Sequence, residues 1–477
     1  MRTFKHVVAA LIPVMATMGC LGSEPFDGSE GPGWVDEGKA DASVEAVFLD
    51  FEFDGELETT SSWGIENRIE DQLLYTIGHL NGDRSVGRLD RVELSEVRTE
   101  SIDGGYRVTY HATIPVAWGR PSSVPSEYTF RLPREASYQG FQRFTDRYMD
   151  SCVDWGAHDV DSGSMWYYYR PNASRCQLDD GDIVTFNATV TESEFATTGM
   201  YPEYHRVWED GVLRVVAIFG KYEDGATTAS DAGISAYNSF VRRISDALGP
   251  HSLETTPAEI PSRPGIEVPD ITFEATLDDG HRVVVNALLV DNVRTAGATF
   301  DRRYEELSQR ADLIAYNGHS GLGANIRALA RKGRWVQGQY VIVFMNGCDT
   351  YTYIDAALWE AHADANPDDT NGTKYLDIVT NAMPAYFHSD AAATMALVDG
   401  LMAYDEPQTY EEMFRRIDSS QVVLVTGEQD NVFRPGGGGG EWEGLDVDGS
   451  VAREEERRFE TPILDAGRYI FDMTGTG

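Results

Sequence analysis

Two stretches decide how this chain is read: Asp312-Leu313-Ile314-Ala315-Tyr316-Asn317-Gly318-His319-Ser320-Gly321-Leu322-Gly323, and Val341-Ile342-Val343-Phe344-Met345-Asn346-Gly347-Cys348-Asp349. Each opens as an apolar run without polar alternation, the pattern of a strand covered on both faces, and each then turns through Asn-Gly. Similar runs at 282–290, 376–381 and 422–426 extend the series. Helical spacing fills the gaps: Phe300, Tyr304 and Leu307 mark one helix, and residues 325–331, 353–362 and 390–402 mark three more. Thr409 with Glu412 forms a capping box before Met413 and Ile417. Strand-helix alternation of this kind predicts an α/β domain, a three-layer arrangement around a mainly parallel sheet, over residues 271–433. Ligands and chemistry in such sheets collect beyond the carboxyl ends of the strands.

His319 and Cys348 fall at two such ends, 29 residues apart. With one crossover helix between neighbouring strands, a histidine and a cysteine come side by side. A thiol of pKa about 8.5 is weakly ionised at neutral pH, and an adjacent imidazolium favours the nucleophilic thiolate. Gly-rich turns let backbone N–H groups, near Ser320 and Gly347, face a developing oxyanion.

At these residues the chain resembles the caspase-like fold of cysteine peptidases, which includes caspases, legumain, clostripain and the gingipains, and is closest to the bacterial gingipain-like branch. In that family one apolar strand ends in His-Gly and the following strand ends in a small residue and the catalytic Cys. The resemblance covers residues 271–433 and implies a cysteine endopeptidase with His319 and Cys348 as catalytic dyad, acting on a protein or peptide without a cofactor. Ser320 stands where the family usually has Gly, and Gly347 where Ala is common; Ser320 keeps the backbone N–H.

Other readings of the same residues exist. A satisfied turn histidine and a small buried cysteine would leave a caspase-like shell used only for binding. Gly318-His319-Ser320 begins the G-x-S-x-G elbow of serine hydrolases with Ser320 as nucleophile, but Leu322 replaces its last glycine. Gly321-Leu322-Gly323 begins a dinucleotide fingerprint, but Ile326 takes the place of the third glycine. Around the dyad, Asn317, Asp349 and Asn381 sit at strand ends as candidate substrate-pocket residues. Glu428 and Asp430, after the last strand, are candidates for binding a basic side chain, and His388 flanks another strand end.

Upstream, residues 44–248 read as an α+β accessory domain. One of its helices places Ile65, Ile69, Leu73, Ile77 and Leu80 on a single face. Its histidines, His79, His111, His158 and His205, lack metal-ligand spacing, so no chemistry is assigned to it. Residues 249–270 hold Pro250, Pro257, Pro261, Pro264 and Pro269 and read as a stiff interdomain linker. Beyond residue 433 come five consecutive glycines, 436–440, and a charged tail to residue 477.

At the N-terminus Arg2, Lys5 and His6 precede an apolar run over 7–18 that ends at Gly19-Cys20. This segment resembles a bacterial lipoprotein signal, which implies export and a lipid anchor on Cys20 in the outer cell envelope; simple secretion is the alternative. Residues 21–43, rich in Gly, Ser, Asp and Glu, have the composition of a tether, and the phosphate-loop-like Gly33, Gly38, Lys39 within them lacks a preceding strand and a following hydroxyl. Export makes the remaining cysteines informative. Cys152 and Cys176 flank a polar loop and suit a disulfide, the alternative being two buried thiols, and Cys348 is then left over.

The chain has 477 residues, 42% of them hydrophobic and 25% charged, and a formal net charge of −39. That composition is globular, and that charge repels phosphate backbones and anionic lipid, so nucleic-acid partners are excluded and membrane contact is expected only through the lipid. Calcium stays an option for the acidic clusters, although Pro367 and Ile378 occupy the first and last ligand positions of the one EF-hand-like loop around Asp368, Asp369 and Asn371.

Overall fold

The computed structural model describes residues 40–157 and 160–435. The expected signal, Cys20, His158 and the tail from residue 436 lie outside the described residues. The chain runs through β1 (Asp41–Ser43), β2 (Val47–Thr59), α1 (Ile65–Asn81), β3 (Ser85–Gly87), β4 (Glu93–Ile102), β5 (Gly105–Trp118), β6 (Glu127–Pro133), α2 (Tyr138–Tyr148), α3 (Met165–Tyr168) and β7 (Ile183–Glu192). It continues with α4 (Tyr204–Val207), β8 (Val212–Gly220), α5 (Ala232–Leu248), β9 (Ser252–Thr256), β10 (Asp270–Thr276), β11 (Arg282–Val290), α6 (Ala298–Ser308), β12 (Leu313–Asn317), α7 (Ala324–Lys332) and β13 (Val341–Asn346). The last elements are α8 (Ala356–Ala365), β14 (Leu376–Asn381), α9 (Phe387–Met402), α10 (Tyr410–Phe414) and β15 (Val423–Thr426).

Two sheets result. β2 to β7 form a six-stranded antiparallel sheet. Its longest strands alternate: Leu49, Phe51, Phe53 and Leu57 of β2 point into the core, while Asp54 between them is exposed, as expected where one face meets water. The second sheet has nine strands in the order β1-β15-β14-β13-β12-β8-β11-β10-β9. Its five central strands, β14, β13, β12, β8 and β11, are mutually parallel, and the two outer pairings on each side are antiparallel. The protein is thus mixed α/β, and the expectation of a mainly parallel sheet holds for the centre alone.

The central strands are apolar throughout because both faces are covered. In β12, Leu313 and Ala315 join a core with α5, α9 and α10, whereas Ile314 and Tyr316 join one with residues of α6, α7 and α8. The second of these cores is continuous with that of the six-stranded sheet, reaching Phe51, Leu73 and Tyr169.

This arrangement corrects the expected domain boundaries. β8 and α5, assigned from sequence to the accessory unit over 44–248, belong to the nine-stranded sheet and its helical layer. The Pro-rich segment 249–270 is not a free linker: it contains β9 and leads into β10, at the sheet's edge. Prolines are tolerated there because an outer strand and its loops need not donate every N–H to a ladder. The tether expected over 21–43 also ends early, since Asp41–Ser43 pairs with β15.

Candidate active site at the carboxyl edge

In the nine-stranded sheet the chain passes from β8 to β11 on one side and then to β12 on the other, so strand order reverses between β8 and β12. The carboxyl ends flanking such a reversal form a crevice where ligands bind in open α/β sheets. His319 follows β12 at this point. Its Nε2 lies 3.0 Å from the carbonyl of Tyr222, just beyond β8. A carbonyl only accepts, so Nε2 carries the proton and Nδ1 is the basic nitrogen. The imidazole is buried, with ring centroids of Tyr222 and Phe387 at 5.4 and 5.3 Å.

Strand register brings the cysteine alongside. Asn317 of β12 pairs with Asn346 of β13, and His319 and Cys348 each stand two residues further on. The two turns touch through their backbones. A Cβ added at Gly347 would lie 2.9 Å from the Gly318 carbonyl and 3.3 Å from the Ser320 nitrogen, which explains why glycine precedes the cysteine. Ser320 lies outside the left-handed region, so its backbone does not demand glycine. Around it Gly321, Leu322 and Gly323 have φ of 59°, 51° and 89°. The His319 carbonyl accepts hydrogen bonds from Tyr316 Oη and Asn325 Nδ2, both at 2.7 Å, which fix this strained turn.

Beneath both turns lies a ladder of buried amides. Asn346 Nδ2 donates to Asn317 Oδ1 at 2.8 Å and to Asp390 Oδ1 at 3.1 Å. Its Oδ1 accepts from Asn381 Nδ2 and Gln421 Nε2, both at 2.8 Å. Asn381 Nδ2 also reaches the Gly347 carbonyl at 3.1 Å. Burial pushes the Asp390 carboxyl well above the usual carboxylate range. Asn317 and Asn381 are therefore close to the dyad, but as a floor rather than as pocket walls.

Cys348 is buried, its Sγ 3.6 Å from the Ala385 carbonyl. Cys152 and Cys176 are joined in a disulfide as expected. Among the described residues no cysteine is free, and Cys348 too is disulfide-bonded, so the expectation of a leftover thiol is not met. A nucleophile exists at this position only after reduction.

Three candidate pocket residues are elsewhere. Asp349 is fully buried, its carboxylate accepting from Asn81 Nδ2 at 2.7 Å and Tyr167 Oη at 2.5 Å. Glu428 and Asp430 lie at the opposite edge, because β15 runs antiparallel to β14 and its end returns toward the start of that strand. There Glu428 accepts from Thr197, and Asp430 accepts from Thr373 Oγ1 at 2.7 Å. His388 is exposed beside Tyr386.

Sequence reasoning missed Tyr222, Phe387, Asp390, Asn346, Asn325 and Gln421. The repeated ending of an apolar strand in asparagine, at 317, 346 and 381, was the available signal for the ladder; nothing local marks Tyr222 or Asp390. A separate groove of about 520 Å³ on the six-stranded sheet, lined by Asp54, Glu96, Arg98, His111, Arg134 and others, shares no residue with this edge. His111 there bonds Asp54 Oδ1 at 3.0 Å, which raises its pKa, so the groove's charges are largely paired among themselves. The imidazole and the sulfur stand instead two residues beyond the paired Asn317 and Asn346, at the carboxyl ends of β12 and β13.

Among the described residues no group of three or more His, Cys, Asp and Glu could hold a metal, and no helix is long and apolar enough to cross a membrane. In the EF-hand-like loop Asp368 is taken up by Lys374 Nζ at 2.7 Å and Tyr375 Oη at 2.8 Å. No family model, curated protein or solved structure matches this chain.

Proposed function

We propose that the chain is an exported, caspase-like cysteine endopeptidase, active in the reduced state, whose dyad is Cys348 and His319. The observation that supports it is the register: two residues beyond a paired Asn317 and Asn346, on adjacent parallel strands beside the sheet's reversal point, stand an imidazole and a sulfur. In this reading the Cys348 thiolate attacks the scissile carbonyl. A C–S bond forms and the carbonyl electron pair moves onto oxygen, toward the backbone N–H groups near Ser320 and Cys348. His319 Nδ1, which has taken the thiol proton in forming the thiolate, gives that proton to the departing amine as the C–N bond breaks, and water then hydrolyses the thioester, releasing the acid and returning a proton to Cys348. No cofactor is needed, and the substrate is a protein or peptide.

The test is peptide-library cleavage by the full chain with and without a thiol reductant. Cleavage should require reductant, vanish in Cys348→Ala and fall by about 10²–10⁴ in His319→Ala. Activity that survives Cys348→Ala and is lost in Ser320→Ala would identify a serine hydrolase instead. The burial and disulfide of Cys348 favour a second reading, a non-catalytic binding shell; it is the conclusion if the reduced protein cleaves nothing.

A further inference from the structure

We propose that Asp349, gripped by Asn81 and Tyr167, is a positioning residue through which the six-stranded sheet's helices hold the backbone at Cys348. The proposal rests on the peptidase reading and adds to it a dependence on the other half of the molecule. Asp349 follows the cysteine directly and sits in the left-handed region, φ 50°, a backbone that a residue with a Cβ holds where its surroundings enforce it. The enforcement is visible. Asn81 closes α1 and Tyr167 lies in α3, both packed with the six-stranded sheet, and both donate to the one carboxylate. On the other side the Asp349 amide reaches the Met383 carbonyl at 3.3 Å.

The grip has a second tier. Arg170 Nη2 donates to Asn81 Oδ1 at 3.3 Å, and Arg170 Nε pairs with Asp154 at 3.3 Å. The Arg170 amide donates to the Cys152 carbonyl at 2.8 Å, which ties the arrangement to the Cys152–Cys176 loop. Arg170, Asp154, Tyr167 and Tyr353 are the ionisable groups that face Asp349. Desolvation raises the Asp349 carboxyl to about 6, against the hydrogen bonds of Tyr167 and Asn81 that favour its charged form. Ionisation there places a negative charge one residue from the sulfur and disfavours its thiolate.

The experiment follows methanethiosulfonate modification of Cys348 in the reduced full chain between pH 5 and 8, quantified by mass spectrometry of the Cys348 peptide. Besides the thiol's own ionisation, the rate should show an inflection near pH 6. Asp349→Asn should lose that inflection; Asn81→Ala and Tyr167→Phe, each lacking a donor that favours the carboxylate, should move it to higher pH. Tyr167→Phe removes one oxygen only and carries the test if Asp349→Asn does not fold. A folded wild type without the inflection, or a folded Tyr167→Phe with an unmoved one, overturns the proposal. His319→Ala separates the two ideas: it should lower cleavage by about 10²–10⁴ and leave the inflection in place. An inflection in a wild type that cleaves no peptide overturns only the peptidase reading.

Discussion

The two edges of the nine-stranded sheet solve one problem in different ways. Both bury a carboxyl group beside strand ends. At the amino edge Asp377 accepts on Oδ2 from Tyr340 Oη at 2.5 Å, from Tyr410 Oη, and from Asn431 Nδ2 at 2.7 Å, and the left-handed positions in the turns around it, Gly338, Gly372 and Gly427, are all glycines. At the carboxyl edge Asp390 meets amides, and two residues with side chains, Leu322 and Asp349, sit in the left-handed region. The phenols of Tyr340 and Tyr410 and the amide of Asn431 satisfy the carboxyl at one edge; at the other, amides, which do not ionise, underlie two turns that each hold a side-chain-bearing residue in the left-handed region. Strain with a dedicated floor is the mark of a site, and satisfied closure without strain is the mark of architecture.

The sharpest way to break this contrast is to remove the floor. Asn346→Ala deletes four hydrogen bonds and leaves Asp390 Oδ1 and Gln421 Nε2 without this partner in a buried setting, while Asn317 Oδ1 keeps Thr394 Oγ1 and Asn381 Nδ2 keeps the Gly347 carbonyl. With unsatisfied buried groups at roughly 1–3 kcal/mol each, a destabilisation of about 4 kcal/mol or more is expected in denaturant unfolding, with loss of any Cys348-dependent cleavage. A loss below about 1 kcal/mol would mean that the ladder is incidental.

Acid should separate the edges next. Burial raises Asp377 to about 7 and Asp349 to about 6, and moves Asp390, Asp312 and Glu428 up as well. The native state then holds more protons than the unfolded chain between these values and about pH 4, so acidification through that window stabilises it. His79 and His362, lowered to about 3 by burial, act in the opposite sense as pH falls through 6.5. Five carboxyls outweigh two imidazoles, so the thermal midpoint should rise by several degrees from pH 7 to about pH 5 and fall below about pH 4. Asp377→Asn should flatten the rise, and a midpoint that falls steadily from pH 7 would contradict the assignment.

Gly347→Ala probes the contact of the two turns. Its Cβ would stand 2.9 Å from the Gly318 carbonyl, a backbone atom that cannot swing aside. A cost of about 1–3 kcal/mol is expected, with Cys348 chemistry impaired more than stability. Unchanged kinetics would show that the turns tolerate separation.

How much of this was legible follows from where each signal resides. The runs at β12 and β13, their order and the two turns were readable because a strand covered on both faces must be apolar throughout, as Leu313 to Tyr316 are. The membership of β8 was not readable: its run is equally apolar, but its neighbours β11 and β12 begin 70 and 101 residues after it begins, at Arg282 and Leu313 against Val212. Glu428 and Asp430 were misplaced because direction is invisible in a short strand: β15 carries the same kind of apolar residues as β14 but runs the other way. Asp349 was misread because only the fold reveals that Asn81 and Tyr167, far earlier in the chain, come to meet it.

The smallest effect is expected at Ser320, and it bears on the resemblance to caspase-like peptidases. If that turn required a left-handed backbone, Ser320→Gly would relieve strain and stabilise by up to about 1 kcal/mol. Ser320 lies outside that region, and the left-handed residues beside it are Gly321, Leu322 and Gly323, of which Leu322 alone carries a side chain. Ser320→Gly should therefore gain nothing, and the greater freedom of glycine in the unfolded chain should cost a few tenths of a kcal/mol, about the limit of a denaturant titration. Ser320→Ala keeps the N–H and should leave cleavage within about two-fold if that N–H faces the oxyanion. A loss of 10²-fold or more in Ser320→Ala, with stability unchanged, would transfer the nucleophile from Cys348 to the hydroxyl and end the comparison on which the cysteine reading depends.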